Sequence, residues 1–353
     1  MNQLFSQRLK LARTRAGCSQ DKLVEAMNFI VSKNAISKYE KGQMMPDSKV
    51  LIALANALDV KTDFFFRQSQ VNIPEVKFRK HSKLGQREID RLKSTSTDIL
   101  ERYLEIESML EFENKFKNPI ANYLCSTEED AREVAMKLRK SWKLGMNPIP
   151  NVIEMLESRE VKIIEFEAPQ EFDGLSTWVG DIPLIVLNKS FDELRKRFTT
   201  LHELGHLVLK IDRNKISAKS EEKLCNSFAS ELLLPAEKLF ENLGRHRQNI
   251  SLNELIDLKE YYGVSLAAIV YKIQEFNILP QSKVKKFWQS RNQDPELKLE
   301  KAPKYGLYEG KEESDRFMQL IFRAASEEII SLSKAAALAN MKLADFRDQY
   351  LAI

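Results

Sequence analysis

Apolar positions in the first 67 residues fall at helical spacing and are interrupted at short intervals. Leu4, Leu9, Leu11 and Ala12 share one face, and Gly17 ends that run. Ser19 stands at a cap position and opens a second helix, Gln20 to Met27. Ser32 does the same for a third, Lys33 to Glu40. After Gly42 and Pro46, Asp47 starts a fourth, with Val50, Leu51, Leu54, Ala55 and Leu58 on one side. Lys61 to Phe66 closes a five-helix unit over 1–67. Residues 68–84 hold Pro74 and several charges but few large apolar side chains, and read as a linker. From Gly85 to Glu113, Ile89, Leu92, Ile99, Tyr103, Ile106 and Leu110 recur every three to seven positions. The pattern predicts one long helix, either a coiled-coil arm or a scaffold.

Near residue 120 the pattern becomes mixed. Thr127 caps a helix to Trp142, and another runs from Pro150 to Ser158. Val161 to Phe166, Ser176 to Val179 and Pro183 to Asn188 read as strands. Helices follow from Phe191 to Leu209 and from Ser220 to Leu234, where Pro235 stops the second. Residues 250–353 are helical, punctuated by Gly263, Pro280, Pro295 and a Pro303–Gly310 loop. The expected fold class is mainly α with a small β-sheet. Its segments are a helical head (1–67), a linker and long helix (68–119), an α+β domain (120–249) and a helical C-terminal region (250–353).

Composition narrows the function classes. Of 353 residues, 43% are hydrophobic and 30% charged, the balance of a soluble globular chain. No apolar run approaches the ~18 residues that span a bilayer. The N-terminus lacks the charged, apolar and small-residue succession of a signal peptide. Both features lead to the expectation of a cytoplasmic protein with no membrane partner. Cys18, Cys125 and Cys225 make no CxxC pair and suit a reducing compartment. Residues 1–67 hold 11 Lys and Arg against 6 Asp and Glu; this excess of +5 is larger than the +4 of the whole chain. Nucleic acid is therefore expected to meet the head.

Two of the chain's four histidines lie in His202-Glu203-Leu204-Gly205-His206. Residues i and i+4 stack on one helix face, so two imidazoles converge on one ion, expected to be Zn2+ at one per chain. Glu203 falls beside them, where it could take a proton from metal-bound water. A third ligand is still needed. Glu222 and Asn226, again i and i+4, would let Glu222 bind the metal while Asn226 orients a histidine. Glu221 and Glu231 are rivals on the same helix.

The run Arg197-Phe198-Thr199-Thr200-Leu201-His202-Glu203-Leu204-Gly205-His206, together with Glu222, Cys225-Asn226, Phe228-Ala229, Leu232-Leu233 and Pro235, resembles the ImmA/IrrE family of metallopeptidases. The strand ending at Asn188 and the Phe172-Asp173-Gly174 turn are similar as well. The resemblance spans roughly 120 to 240. It implies a gluzincin-like HExxH fold, His202, His206 and Glu222 as zinc ligands, and Glu203 as general base. It also implies a protein substrate, a transcriptional repressor. Cys225 departs from the pattern, which usually has Ala there.

Ser19-Gln20 and Leu23, then Ile36-Ser37-Lys38-Tyr39-Glu40-Lys41-Gly42, Pro46 and Leu54-Ala55, resemble XRE-class helix-turn-helix domains. That resemblance implies double-stranded DNA as a partner, with the third helix in the major groove. Ser32, Lys33, Asn34, Ser37 and Lys38 are the expected DNA-contacting residues, and Gln20 the expected phosphate contact. Arg13 and Glu40 are expected to pair inside the domain. Asn28-Phe29-Ile30-Val31 makes the turn about two residues longer than the usual form.

The leading expectation is a DNA-binding regulator with a zinc endopeptidase domain that cuts a repressor or antitoxin-like protein in response to a signal. The alternative is a non-proteolytic repressor that uses the zinc domain as sensor or scaffold. Homodimerisation is left open. His81 and His246 read as surface or core residues rather than ligands. Ile330 to Ala336 has a turn-then-helix look without an assigned role.

Overall fold

Side-chain caps start three helices of the head. α1 (Asn2–Arg15) precedes α2 (Gln20–Ala26), where the Ser19 hydroxyl accepts from the Lys22 amide. Ser32 accepts from Ala35 at the start of α3 (Lys33–Glu40), and Asp47 from Val50 at α4 (Ser48–Ala57). A 3-10 turn, Thr62–Phe66, is the fifth helical piece. Phe5, Leu9, Leu23, Ile36, Leu54 and Phe65 fill the core between them. In this computed structural model, residues 2–67, 71, 73, 84–112 and 115–350 are described. Of the expected linker 68–84, only Val71, Ile73 and Leu84 fall in that range; His81 lies outside it.

The long helix α5 (Gln86–Met109) is a scaffold rather than a free coiled-coil arm. Ile89, Leu92, Leu100, Tyr103 and Ile106 are buried along it. It packs against α1, where Arg8 pairs with Glu101 and Arg15 Nη1 lies 2.8 Å from Asp98.

The chain divides by its contacts into two units, Met1–Phe112 with Phe317–Ile353, and Glu113–Arg316. In the second, β1 (Leu124–Cys125) precedes α6 (Glu128–Ser141) and α7 (Val152–Glu157). Then come β2 (Lys162–Phe166), β3 (Gly174–Val179) and β4 (Ile182–Asn188). These three form one sheet in the order β2-β4-β3: β2 is parallel to β4, β3 is antiparallel to it, and β3 is an edge. Asn188 ends β4 for a local reason. Its amide donates to the carbonyls of Ala168, Pro169 and Phe172, each at 3.0 Å, and pins the loop that leads into β3.

α8 (Glu193–Val208) carries the HExxH residues, with β5 (Lys210–Ile211), paired to β1, directly after it. α9 (Ala218–Leu233) packs across both α6 and α8. Leu138, Ile185, Leu204, Leu224 and Phe228 lie in the shared core. α10 (Ala236–Leu243), α11 (Leu252–Tyr262), α12 (Leu266–Glu275), α13 (Gln281–Gln293) and α14 (Pro295–Leu299) complete this unit.

The last helices, α15 (Arg316–Ser326), α16 (Leu332–Ala339) and α17 (Leu343–Gln349), pack on Tyr103 and Ile106 of α5. Arg102 donates to the Leu338 carbonyl. The expected C-terminal region 250–353 is therefore not one piece. Leu255, Leu258, Leu266 and Ile273 join the core around the HExxH helix, whereas Ile321, Ala335 and Phe346 cluster with α5. The turn-then-helix at Ile330–Ala336 thus belongs to the head's unit. The class is mainly helical with small sheets, as the periodicity predicts. Among the described residues, no helix is long and apolar enough to cross a membrane.

Candidate metal centre and nucleic-acid interface

α8 begins at Asp192, whose side chain accepts from the Arg195 amide, and reaches His202 and His206 one turn apart. Their Nε2 atoms are 3.2 Å apart. From α9, Glu222 brings one carboxylate oxygen to 3.2 Å from His202 Nε2 and the other to 3.5 Å from His206 Nε2. A tetrahedral ion with bonds of about 2.0–2.1 Å holds its ligands about 3.3 Å from one another. These three donors already have that spacing, so the residues fit a zinc ion. They are the one His/Cys/Asp/Glu cluster of metal-binding geometry among the described residues.

Each imidazole is oriented through its other nitrogen. His202 Nδ1 donates to Asn226 Oδ1 at 2.8 Å, and His206 Nδ1 faces Glu221 Oε1 at 3.3 Å. With the single ring proton on Nδ1, as in the neutral ligand form, either arrangement would leave the Nε2 lone pair toward the cluster. The rival carboxylates separate by partner. Glu221 is held by Arg213 Nη2 at 3.0 Å, on the far side of His206. Glu231 is buried, 2.6 Å from Lys272 Nζ, and accepts from the Ala236 amide. Sequence reasoning missed the Glu221–Arg213 clamp because it read Glu221 only as a rival for the ion.

The electrostatics call for positive charge. Hydrogen bonds from His202 and His206 hold Glu222 well below the usual carboxylate range. Burial alone would lower His206, but its hydrogen bonds with Cys225 and Glu222 and the nearby Glu203 outweigh that and lift it to about 11. A proton meets that demand in part, and a divalent cation would meet it more fully.

Glu203 is buried beside the cluster and accepts from Ser176 Oγ on the edge strand β3 at 2.7 Å. Gly205 lets α8 and α9 approach: a Cβ there would lie 3.3 Å from Cys225. Cys225, the departure from the family pattern, fills that contact as a buried side chain with Sγ 3.5 Å from His206 Nδ1. Gly174 makes a second close approach, since a Cβ would meet the Val186 carbonyl at 2.9 Å. His246 is exposed and lies outside the cluster.

In the head, α3 turns Ile36 and Tyr39 into the core and leaves Ser32, Lys33, Asn34 and Lys38 exposed, with Ser37 half-buried. Lys33 Nζ lies 2.7 Å from Asp21, with both side chains about three-fifths exposed at 60% and 59%. The expected Arg13–Glu40 pair is present, with Nη2 to Oε2 at 3.1 Å. Gln20, the expected phosphate contact, donates its amide to Glu40 at 2.8 Å in the absence of DNA. As a phosphate contact it would first have to give up that bond. The lengthened turn uses left-handed backbone at Asn28 (φ 52°) and Phe29 (φ 57°) and leaves the Phe29 ring exposed. Asn tolerates that region; Phe rarely adopts it.

Comparison with known proteins follows the same division. Residues 9–65 match the helix-turn-helix family, and residues 156–274 match the IrrE N-terminal-like domain of the M78 peptidases. The SPbeta prophage-derived uncharacterized HTH-type transcriptional regulator YonR of Bacillus subtilis (strain 168) is 35% identical over 75 residues. Those are 21% of this chain and 68% of that protein. The HTH-type transcriptional regulator ImmR of the same organism is 34% identical over 68 residues, 19% of this chain and 52% of that protein. The chain thus spans about half the length of the second relative. With a helix-turn-helix head so matched and an IrrE-type domain behind it in sequence, the chain belongs to the XRE-type helix-turn-helix family of DNA-binding transcriptional regulators.

Proposed function

We propose that this regulator is also a zinc-dependent endopeptidase that cleaves a regulatory protein, a repressor or antitoxin-like chain, in response to a signal. The observation that carries the reading is the convergence of His202, His206 and Glu222 on one point with Glu203 alongside. A purely structural zinc site closes with four protein ligands and needs no base; three ligands and a neighbouring carboxylate are the catalytic arrangement. Bound zinc would supply Lewis acidity toward a water molecule and the scissile carbonyl. Glu203 would accept the proton of that water and later pass it to the leaving amine. Ser176 holds the Glu203 carboxylate in place. β3 offers an open edge on which an extended substrate segment can pair by main-chain hydrogen bonds.

On the DNA side, the proposed readers are Lys33 and Asn34, with Ser32, Ser37 and Lys38 toward bases or phosphates. The +5 charge of residues 1–67 makes binding fall steeply with salt.

Glu203→Gln keeps the shape and removes the base. Zinc content should stay at about one per chain while cleavage of the partner repressor falls ~100-fold or more. Purified chain, incubated with the helix-turn-helix repressor encoded beside its gene and followed by mass spectrometry, reads both. Cleavage at the wild-type rate by the variant contradicts the mechanism.

A further inference from the structure

α13 (Gln281–Gln293) carries four Lys and Arg and no Asp or Glu, in a chain whose totals are 55 and 51. Val284 is buried, and Phe287 and Trp288 pack on the core of the HExxH unit, so positions i, i+3 and i+4 make the inner face. Arg291 continues that face: its guanidinium lies over the Trp288 ring and donates to the Lys298 carbonyl. The outward positions hold the cations Lys283, Lys285 and Lys286, or uncharged hydrogen-bonding side chains such as Gln289, Ser290 and Gln293. All six are exposed.

Neither helix stability nor pairing accounts for the three lysines. They sit in the first half of α13, where the helix dipole favours carboxylates. Among the described residues, none of them has a carboxylate within ion-pair distance. The acids next along the chain are engaged elsewhere. Asp294 caps α14 through the Glu296 and Leu297 amides, Glu296 lies 2.6 Å from Lys304, and Glu300 is buried against Lys259. A helix face that only keeps a protein soluble carries both signs, often in i, i+4 pairs.

We infer that the outer face of α13 is a second nucleic-acid contact, which binds the phosphate backbone of double-stranded DNA without reading its sequence. Lys, Ser, Asn and Gln side chains all bond phosphate oxygens, and they are the set found here. From Lys283 to Gln293 the helix rises about 15 Å, enough to follow several phosphates of one strand. The Phe287 and Trp288 rings are committed to the core, so the helix has no free apolar face to lower into a lipid surface. DNA is the polyanion that regulators of this family bind. α13 lies outside residues 156–274, which match the IrrE N-terminal-like domain, and so adds to what that domain supplies.

The test is a titration of full-length protein with a short random-sequence duplex at several salt concentrations, followed by fluorescence anisotropy. The triple variant Lys283→Gln, Lys285→Gln, Lys286→Gln should bind ~10-fold or more weakly at low salt and flatten the slope of log K against log salt by about 2–3. Lys286→Gln alone should flatten it by about 1, so the result does not depend on the triple variant folding. A control triple, Lys140→Gln, Lys143→Gln, Lys219→Gln, removes the same charge elsewhere in the unit and should change affinity by less than about 2-fold. An unchanged slope in both α13 variants overturns the contact, and so does an equal loss in the control. Vesicles of phosphatidylserine and phosphatidylcholine are the second probe. If the wild-type chain binds them and the α13 triple does not, with DNA binding unaltered, the face belongs to a lipid surface and the inference fails. A wild-type chain that binds no duplex at low salt overturns it as well.

Discussion

An ion pair beneath the HExxH helix and one at the exposed ends of α2 and α3 treat charge in opposite ways. In the unit that carries HExxH, the Arg197–Glu312 pair is buried and tied to the backbone. Arg197 and Glu312 are both fully buried at 0% exposure. Arg197 also donates to the carbonyls of Gly263 and Ile149, and Glu312 accepts the amides of Val152 and Ile153. At the exposed N-terminal ends of α2 and α3 in the head, Lys33 and Asp21 meet in water. Buried charge left unpaired is costly, so the first kind of pair fixes a framework. Exposed pairs contribute about 0.2–1 kcal/mol, so the second kind is readily exchanged for a phosphate or a base edge. A fixed framework suits donors that must be held in place; an exchangeable pair suits charges that change partners.

The largest expected effect follows from the framework. Glu312→Ala strands the Arg197 guanidinium in the core and should destabilise that unit by about 3–5 kcal/mol, read by chemical denaturation. Arg197 lies one turn before Leu201 and His202 on α8, so zinc retention should fall as well. Near-wild-type stability would mean that the pair does not hold the site. A smaller effect is expected at the Glu221 clamp. Glu221→Gln leaves the three ligands intact but weakens the orientation of His206, and zinc affinity measured by chelator competition should fall ~10–100-fold. Unchanged affinity would make the Arg213–Glu221 contact a surface pair and nothing more.

The head should respond more gently. If Asn34 reads a base, Asn34→Ala should cost ~1–3 kcal/mol on the cognate site and little on random DNA, in mobility shifts across several salt concentrations. Gln20→Ala sharpens the comparison, because Gln20 donates to Glu40. A purely structural Gln20 predicts a loss of head stability with the salt slope unchanged; a phosphate contact predicts weaker binding to both DNAs alike. The smallest change is expected at Asp21→Asn, which frees Lys33 and should shift head stability by under about 1 kcal/mol.

What could be read from the sequence follows from distance along the chain. The HExxH helix and the Glu222–Asn226 helix are legible because i and i+4 residues share a face whatever the fold. The caps Ser19, Ser32, Asp47 and Thr127 are legible for the same local reason. Strands β2 to β4 are legible as short runs bounded by turns, but the β1–β5 pair is not, since two residues carry no periodicity. Choosing among Glu221, Glu222 and Glu231 needed more than spacing. Glu231 is taken by Lys272, 41 residues away, and Glu221 by Arg213 on the preceding loop. The return of α15 to α17 to α5 was illegible too. Their apolar faces say that they pack, not on what. Gln20 reads from the sequence as a phosphate contact, and only the fold sets it beside Glu40.

The most direct test of the metal centre is the zinc content of purified full-length protein, measured by mass spectrometry of the element beside protein concentration. The wild-type chain should carry about one zinc, and His202→Ala and Glu222→Ala should each lose most of it. Glu231→Ala, whose carboxylate faces Lys272, should keep its zinc as long as the protein remains folded. A wild-type chain without zinc, or a Glu222→Ala chain that keeps its full complement, would contradict the three-ligand site on which the peptidase reading stands.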